Sequence, residues 1–293
     1  MSKQPKQPNE PPIDDATTSI QKLSRDLRNA AKTLGVREAR YFVNIYYDMQ
    51  DMRIGTGNQQ RKLLESAEPS ECMTWFNNNL QSLENQIKGV LDKWSAAQPM
   101  GEWARSIMGI GPVISAGLIA NIDITKAPTV GHIWRYAGLD PTRKWEKGQK
   151  RPWNASLKRL CWLTGESFVK VSGKDKDIYG KFYKERKVYE EDRNLRGYNA
   201  AEAARRIAED DRKPASRRME AGLRDILATG KLPQIAMNER AKRWAVKLFL
   251  SHWHDAAYRL HYNAAPPLPY PIQHLGHVHY VPGPGAPGAQ PTI

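Results

Sequence analysis

The sequence predicts an all-α protein, and three observations carry that reading. Apolar residues recur three and four apart over most of the chain. No run of four to eight residues alternates apolar with polar, apart from a short strand expected at 278–281. Gly, Pro, Ser and Asn stand where the periodic runs begin and end, as helix stops and caps do. A chain of 293 residues with 40% apolar side chains and nine Trp can fill a real core.

Taken in order, residues 1–14 are polar and Pro-rich and read as a disordered lead-in. Residues 15–98 read as a helical arm or coiled-coil region. A first helix is expected from about Ala16 to Leu34, ended by Gly35, and a second from about Arg37 to Ile54, stopped at Gly55 and Gly57. Ser70 then starts a long helix whose Trp75, Phe76, Leu80, Leu83, Ile87, Val90, Leu91 and Trp94 form a near-heptad seam. That seam, residues 70–95, fits packing inside a helical domain, and it also fits a homo-oligomer contact.

Residues 99–172 hold the stretch on which the chain is organised, Ser106 to Asn121. It reads as a short helix, a tight turn at Gly109-Ile110-Gly111, and a helix opened by Pro112. Both glycines are expected to permit φ > 0 and close approach of the backbone. Such a turn presents free N–H groups at a helix N-terminus, where phosphate is the usual anion. The plain alternative is a Gly-rich turn between two core helices. Further on, Thr129–Ala137 reads as a helix closed by Gly138, and Asp140-Pro141 as a turn that could form a second, degenerate hairpin. Asn154 caps a helix from Ala155 to about Val171, with Leu157, Leu160, Trp162, Leu163 and Phe168 expected inward. Residues 173–263 form a charged helical region expected to pack back on the core, ending in a helix from Ile235 to about Tyr262. Residues 264–293 read as a Pro/Gly/His-rich tail.

The net charge is +14, which suits a polyanion, most simply nucleic acid. No stretch has the length or purity of a membrane span, and the start of the chain lacks an apolar signal region. Two unpaired cysteines, Cys72 and Cys161, fit a reducing cytosol. The expected location is cytoplasmic. Residues 126–159 concentrate the charge: Lys126, Arg135, Arg143, Lys144, Lys147, Lys150, Arg151, Lys158 and Arg159 face only Asp140 and Glu146. With the backbone of Gly109, Ile110 and Gly111 they form the candidate nucleic-acid-binding set. Trp145 and Trp153 join it as stacking platforms for unpaired bases. The competing reading makes the two Trp core anchors and the charges a solvated rim.

For catalysis the candidates are the carboxylates Asp123 and Asp140, with Mg2+ if they act, and the hydroxyls of Thr142 and Ser156. His274, His277 and His279 have a spacing that could ligate Zn2+ or Ni2+, but the plainer reading is a tail docked on the body, and no metal is called for. There is no Walker-type loop and no Ser/His/Asp motif. No cofactor is called for otherwise.

Gly109-Ile-Gly-Pro-Val113, Ile122-Asp-Ile124, Trp134-Arg-Tyr-Ala-Gly-Leu-Asp-Pro141, the basic Gly148-Gln-Lys-Arg151 and Leu157-Lys-Arg-Leu160 together resemble one family. They look like the C-terminal helix-hairpin-helix domain of the bridge-RNA insertion-sequence transposases and the related Piv-type invertases. The resemblance spans roughly residues 75–170. It implies a nucleic-acid-binding scaffold, DNA as partner and structured RNA as a further one, and it would make the protein bacterial or phage-borne and nucleoid-associated. The family also carries a RuvC-like domain with acidic residues on strands, and a serine nucleophile in the loop after the Gly-Leu-x-Pro motif. Residues 1–100 show no acidic-strand pattern, and Thr142–Gly148 contains no serine. The expectation is a DNA-binding protein with a role in transposition, recombination or an element-derived process. An active transposase completed by a partner domain, and a helical oligomerising structural protein, are the alternatives.

Overall fold

Residues 23–269 and 280–284 are described by the computed structural model, and over them all regular structure is helical. The lead-in, the start of the first expected helix, and His274, His277, Val278 and His279 lie outside the described residues. Tyr280 and Val281, the rest of the expected strand, are irregular backbone.

Ser24 caps α1 (Arg25–Ala30), and a 3-10 turn at Ala31–Thr33 leads into α2 (Val36–Glu65). The expected stop at Gly55 and Gly57 does not occur: α2 runs through both glycines for two more turns. The reason is tertiary. α3 (Glu71–Ala96), capped by Ser70 as its sequence predicts, returns antiparallel along α2. Arg53 Nε reaches Glu84 at 2.6 Å and Gln60 Nε2 reaches Thr74 Oγ1 at 2.9 Å, so the pair is tied on both sides of the glycines. Each glycine costs a helix about 1 kcal/mol, which cross-helix packing can outweigh.

The inner halves of α2 and α3 receive α4 (Gly101–Ser106) and α5 (Pro112–Asn121). Gly117 permits that contact, because a Cβ there would lie 2.7 Å from Leu160 and 3.3 Å from Val43. Arg40 of α2 donates to the carbonyl of Ala120 at 2.6 Å and closes the end of α5. α6 (Val130–Tyr136) and α7 (Ala155–Val171) follow, and α7 has the bounds its Asn154 cap predicts. Trp162 departs from expectation. It is 53% exposed, and Cys161 and Thr164 fill the buried stripe in its place.

α8 (Tyr179–Leu195), α9 (Ala200–Asp211) and α10 (Ala221–Ala228) precede α11 (Gln234–Tyr262). α11 lies against α6, α7 and α8. One core cluster takes in residues from Ala39 of α2 to Ala257 of α11, with Trp94, Phe168, Phe249 and Trp253 almost fully buried. A smaller cluster, Ala203, Leu227, Leu232 and Met237, joins α9 and α10 to the start of α11. The tail returns onto this core. His252 Nε2 donates to the Val281 carbonyl at 2.8 Å, which leaves Nδ1 to accept from the Tyr179 hydroxyl at 2.8 Å. Trp103 Nε1 donates to the Pro284 carbonyl at 2.9 Å.

Gly55→Ala and Gly57→Ala are each expected to raise stability by about 0.5–1 kcal/mol, since both positions are helical and open. Gly117→Ala should lose about 1–2 kcal/mol, the overlap with Leu160 exceeding the gain in helix propensity. Urea unfolding of the three variants measures both signs.

Candidate nucleic-acid interface

The turn between α4 and α5 is built from two buried side chains, Ile107 and Ile110. Ile110 donates its N–H to the Ile107 carbonyl at 3.0 Å, so neither its side chain nor its N–H is available to a ligand. Gly109 has φ +96°, as its sequence position predicts, and backs onto α7. Ser167 donates its hydroxyl to the Gly109 carbonyl at 2.5 Å, and a Cβ would sit 3.3 Å from both Ser167 and Val171. Gly111 differs from expectation. Its backbone is extended, φ −82° and ψ 179°, a conformation open to any residue. A Cβ added there meets nothing within 4 Å. No side chain caps α5, and the N–H groups of Gly111, Val113 and Ile114 find no acceptor among the described residues. The fold therefore does not demand a glycine at Gly111, while an approaching anion would.

Every residue of the basic loop from Thr142 to Pro152 is exposed, yet both its roots are clamped to α6. At the first root, Asp140 accepts from the Thr142 N–H at 2.9 Å and the Thr142 hydroxyl at 2.7 Å, and Arg135 of α6 stands 3.5 Å away. At the second, Asn154 donates its N–H to the Tyr136 carbonyl at 2.9 Å and its side-chain amide to the Tyr136 hydroxyl at 2.8 Å, while its Oδ1 accepts from Leu157 N–H at 3.0 Å. Trp153 lies on Gly138, whose φ of +66° and missing Cβ let the indole approach; a Cβ would be 2.7 Å from the ring. Lys158 covers the same ring at 4.2 Å. Trp153 is thus half-buried packing, whereas Trp145 is 48% exposed, held by a 2.7 Å bond from Nε1 to the Gln149 carbonyl. Arg151 stands 4.8 Å over the Trp145 ring.

The candidate cations divide into two groups. Lys126 pairs with Asp123 at 3.2 Å and Arg135 with Asp140. Arg159 is turned to α2, where it meets Asp51 at 2.6 Å and lies over Tyr47. Arg143, Lys144, Lys147, Lys150, Arg151 and Lys158 have no carboxylate partner among the described residues. Burial, and then repulsion from Arg151 and Arg243, lowers the pKa of Lys158. Arg243 of α11 is the residue that reading the sequence missed. It lies some ninety positions beyond the loop, and no local pattern marks it.

The candidate catalytic groups do not assemble. Asp123 repeats the geometry of Asp140, accepting from the Thr125 N–H at 3.1 Å and the Thr125 hydroxyl at 2.6 Å. Both are Asp-x-Thr turns, each with its own basic neighbour. Ser156 lines a separate small cavity with Tyr47, Asp48 and Arg159. Among the described residues no group of three or more His, Cys, Asp or Glu could hold a metal ion. His252 and His254 are buried on separate partners, His254 Nε2 donating to the Ala127 carbonyl at 2.8 Å.

Fold and site together define an all-α chain with a hairpin-and-loop surface rich in unpaired cations. Against known proteins, the model of the family described as Transposase IS116/IS110/IS902 matches residues 102–156, from α4 to the first turn of α7. The match takes in the hairpin and the basic loop and lies within the span that carries the resemblance. No curated protein and no solved structure matches the chain. No helix among the described residues is long and apolar enough to cross a membrane.

The Thr142 hydroxyl is the largest influence holding the Asp140 carboxyl below its ordinary pKa, followed by the Thr142 N–H and Arg135. A depressed carboxyl stabilises the fold at neutral pH, and that contribution is lost as pH falls through its folded value. In Thr142→Val, Asp140 is expected to titrate nearer the ordinary Asp range, followed by NMR. An unmoved titration would mean that the turn does not form.

Proposed function

We propose that the chain is a DNA-binding protein of transposase descent that grips the phosphate backbone through the α4–α5 hairpin and the basic loop. The observation that carries this reading is the contrast in pairing. Across α8, α9 and α11, Arg186, Arg196, Arg205, Arg206 and Arg259 each have a carboxylate one turn away. A solvated rim would look like that. The loop cations instead stand unpaired on a clamped frame, with the last residue of α5, Asn121, at the loop root and the open N-terminus of α5 one helix length away. Sequence-independent phosphate neutralisation follows from such a surface. Transposition, recombination or an element-derived process is the setting that the transposase-family segment supports.

With five or six phosphates neutralised, log Kd should change with log salt concentration with a slope of magnitude about 5. Reversing Lys147, Lys150 and Arg151 to Glu is expected to cut that slope by about 3. Gly111→Val should weaken binding about tenfold or more, while costing the fold about 1 kcal/mol or less as a poorer cap. Fluorescence anisotropy against salt, with duplex, single-stranded and junction DNA and with RNA, measures all of these. Affinity independent of salt for every form would sink the reading.

A second reading concerns the α2–α3 arm, which we assign to contact between two copies of the chain. No residue from 51 to 79 is buried, and Leu64 and Trp75 are each 63% exposed. Two helices lacking a third partner are marginal in water. Residues 36–96 also carry seven cations and eight anions in a chain of net charge +14, so copies would not repel there. Leu64→Glu with Trp75→Glu is expected to convert a dimer into a monomer in light scattering with an unchanged helical spectrum. A wild-type monomer at every concentration tested would refute the contact.

A further inference from the structure

A cavity of about 480 Å3 lies between α6, α11 and the tail segments 265–269 and 280–281. That volume is in the range of small-ligand sites, roughly 300–1,000 Å3. Its walls are flat and apolar: Trp134 from α6, Trp244 and Leu248 from α11, and Tyr280 from the tail. The Trp134 indole is fixed by a 3.2 Å bond from Nε1 to the Lys247 carbonyl.

The cations that line the cavity are not alike. Arg186 is neutralised by Glu190 at 2.6 Å, and Arg259 by Asp255 at 3.0 Å. Lys247 places Nζ 4.2 Å over the Trp134 ring and has no carboxylate within 4 Å among the described residues. α11 supplies its own control in Lys242. That ammonium, likewise partly buried, holds both Glu166 and Glu239. Where this helix takes a lysine out of water for structural reasons, it provides counter-charges. Lys247 lacks them, and burial lowers its pKa, opposed only by the more distant Asp140. Among the described residues, Lys247 is thus the cavity-lining Lys or Arg with no carboxylate in contact, beside aromatic walls, and Asp140, at the root of the basic loop, lies within electrostatic reach.

We propose that this cavity holds a single nucleotide unit, its phosphate on Lys247 and its base against the aromatic walls. The unit is either a free nucleotide or the terminal nucleotide of a strand. Choosing a nucleotide over another aromatic anion rests on the nucleic-acid reading above, but occupation of the cavity by a mononucleotide does not need the loop.

The test is equilibrium binding of AMP to the full chain by calorimetry, with adenosine and inorganic phosphate as controls. Saturable one-site binding is expected, tighter for AMP than for either part. Lys247→Met keeps the aliphatic stem over Trp134 and the carbonyl that accepts from the indole. It should weaken AMP by about tenfold or more, the size expected for a lost charge-assisted hydrogen bond, and Lys247→Arg should restore most of it. Trp134→Phe should weaken AMP and leave phosphate unchanged. The triple reversal at Lys147, Lys150 and Arg151 should cut the salt slope of DNA binding by about 3 and leave AMP affinity within about twofold, which separates failure of this site from failure of the loop. A 5′-phosphorylated trinucleotide that displaces AMP supports a strand-borne unit; one that does not supports the free nucleotide. No saturable AMP binding, equal affinity for phosphate and AMP, or unchanged affinity in a folded Lys247→Met protein overturns the proposal.

Discussion

The arrangement of this molecule hangs on Phe249. Trp103 of α4 stacks on it at 6.0 Å, Phe168 of α7 meets it edge-on at 5.4 Å, and Tyr179 of α8 at 5.2 Å, with Trp253 a turn further along α11 at 6.2 Å. Each such pair is worth about 0.5–1.5 kcal/mol beyond the area it buries. The contact ties the first helix of the hairpin to the last long helix, across nearly 150 residues of chain. It also orients α11. Two residues along an α-helix is roughly 200° of turn, so holding Phe249 inward turns Lys247 away from the knot, and Arg243 lies one turn before it on the same side. The cations that α11 adds beside the loop are a consequence of where its aromatic face is buried.

Charge in this chain is spent in two different ways. Along α8, α9 and α11, Arg and Glu or Asp alternate at one-turn spacing and cancel. At Asp210 the same economy reaches the interior, where the carboxylate accepts from the Met219 N–H at 3.1 Å and from Lys213 at 3.0 Å and so fixes the turn between α9 and α10. Around the loop the pattern stops. Burial, and then repulsion from Arg151 and Arg243, lowers the pKa of Lys158, and those two neighbours come from separate stretches of chain. A fold that leaves like charges this close gains nothing from them by itself; the repulsion is relieved only when an anion arrives.

What could be read from the sequence was what local chemistry decides. Ser70, Pro112 and Asn154 begin helices because a capping side chain or a fixed φ acts within one turn, and the all-α class follows from spacing alone. The failures were all long-range. Gly55 and Gly57 read as a stop, and only the antiparallel return of α3 carries the helix through them. Trp162 fits an inward stripe by period, but the stripe rotates by one residue onto Cys161, whose burial pushes its thiol up to about 12. Arg159 reads as a phosphate ligand until α2 brings Asp48 and Asp51 to it. Trp153 and Trp145 look equivalent in the loop, yet Gly138 takes one of them into the packing. Gly111 reads as left-handed backbone but is extended, and what sets it apart is the open space where a Cβ would stand.

The stretch matched to the transposase family cannot make its surface alone. It begins in α4 and ends in the first turn of α7, so it holds the hairpin, both loop roots and the two Asp-x-Thr turns. The side chains that bury it come from elsewhere: Val43 and Tyr47 from α2, Leu91 and Trp94 from α3, Phe249 and Trp253 from α11. The repeated Asp-x-Thr geometry bears on chemistry as well. Because Asp123 and Thr125 adopt it at a distance from the loop, the short bond between Asp140 and the Thr142 hydroxyl is sufficiently explained as a turn, without a nucleophile and its base. The loop is then a positioned array of cations whose frame is set by the family segment and whose field is completed by α11. In the proposed phosphate grip, Arg243, outside that segment, would act with the residues within it.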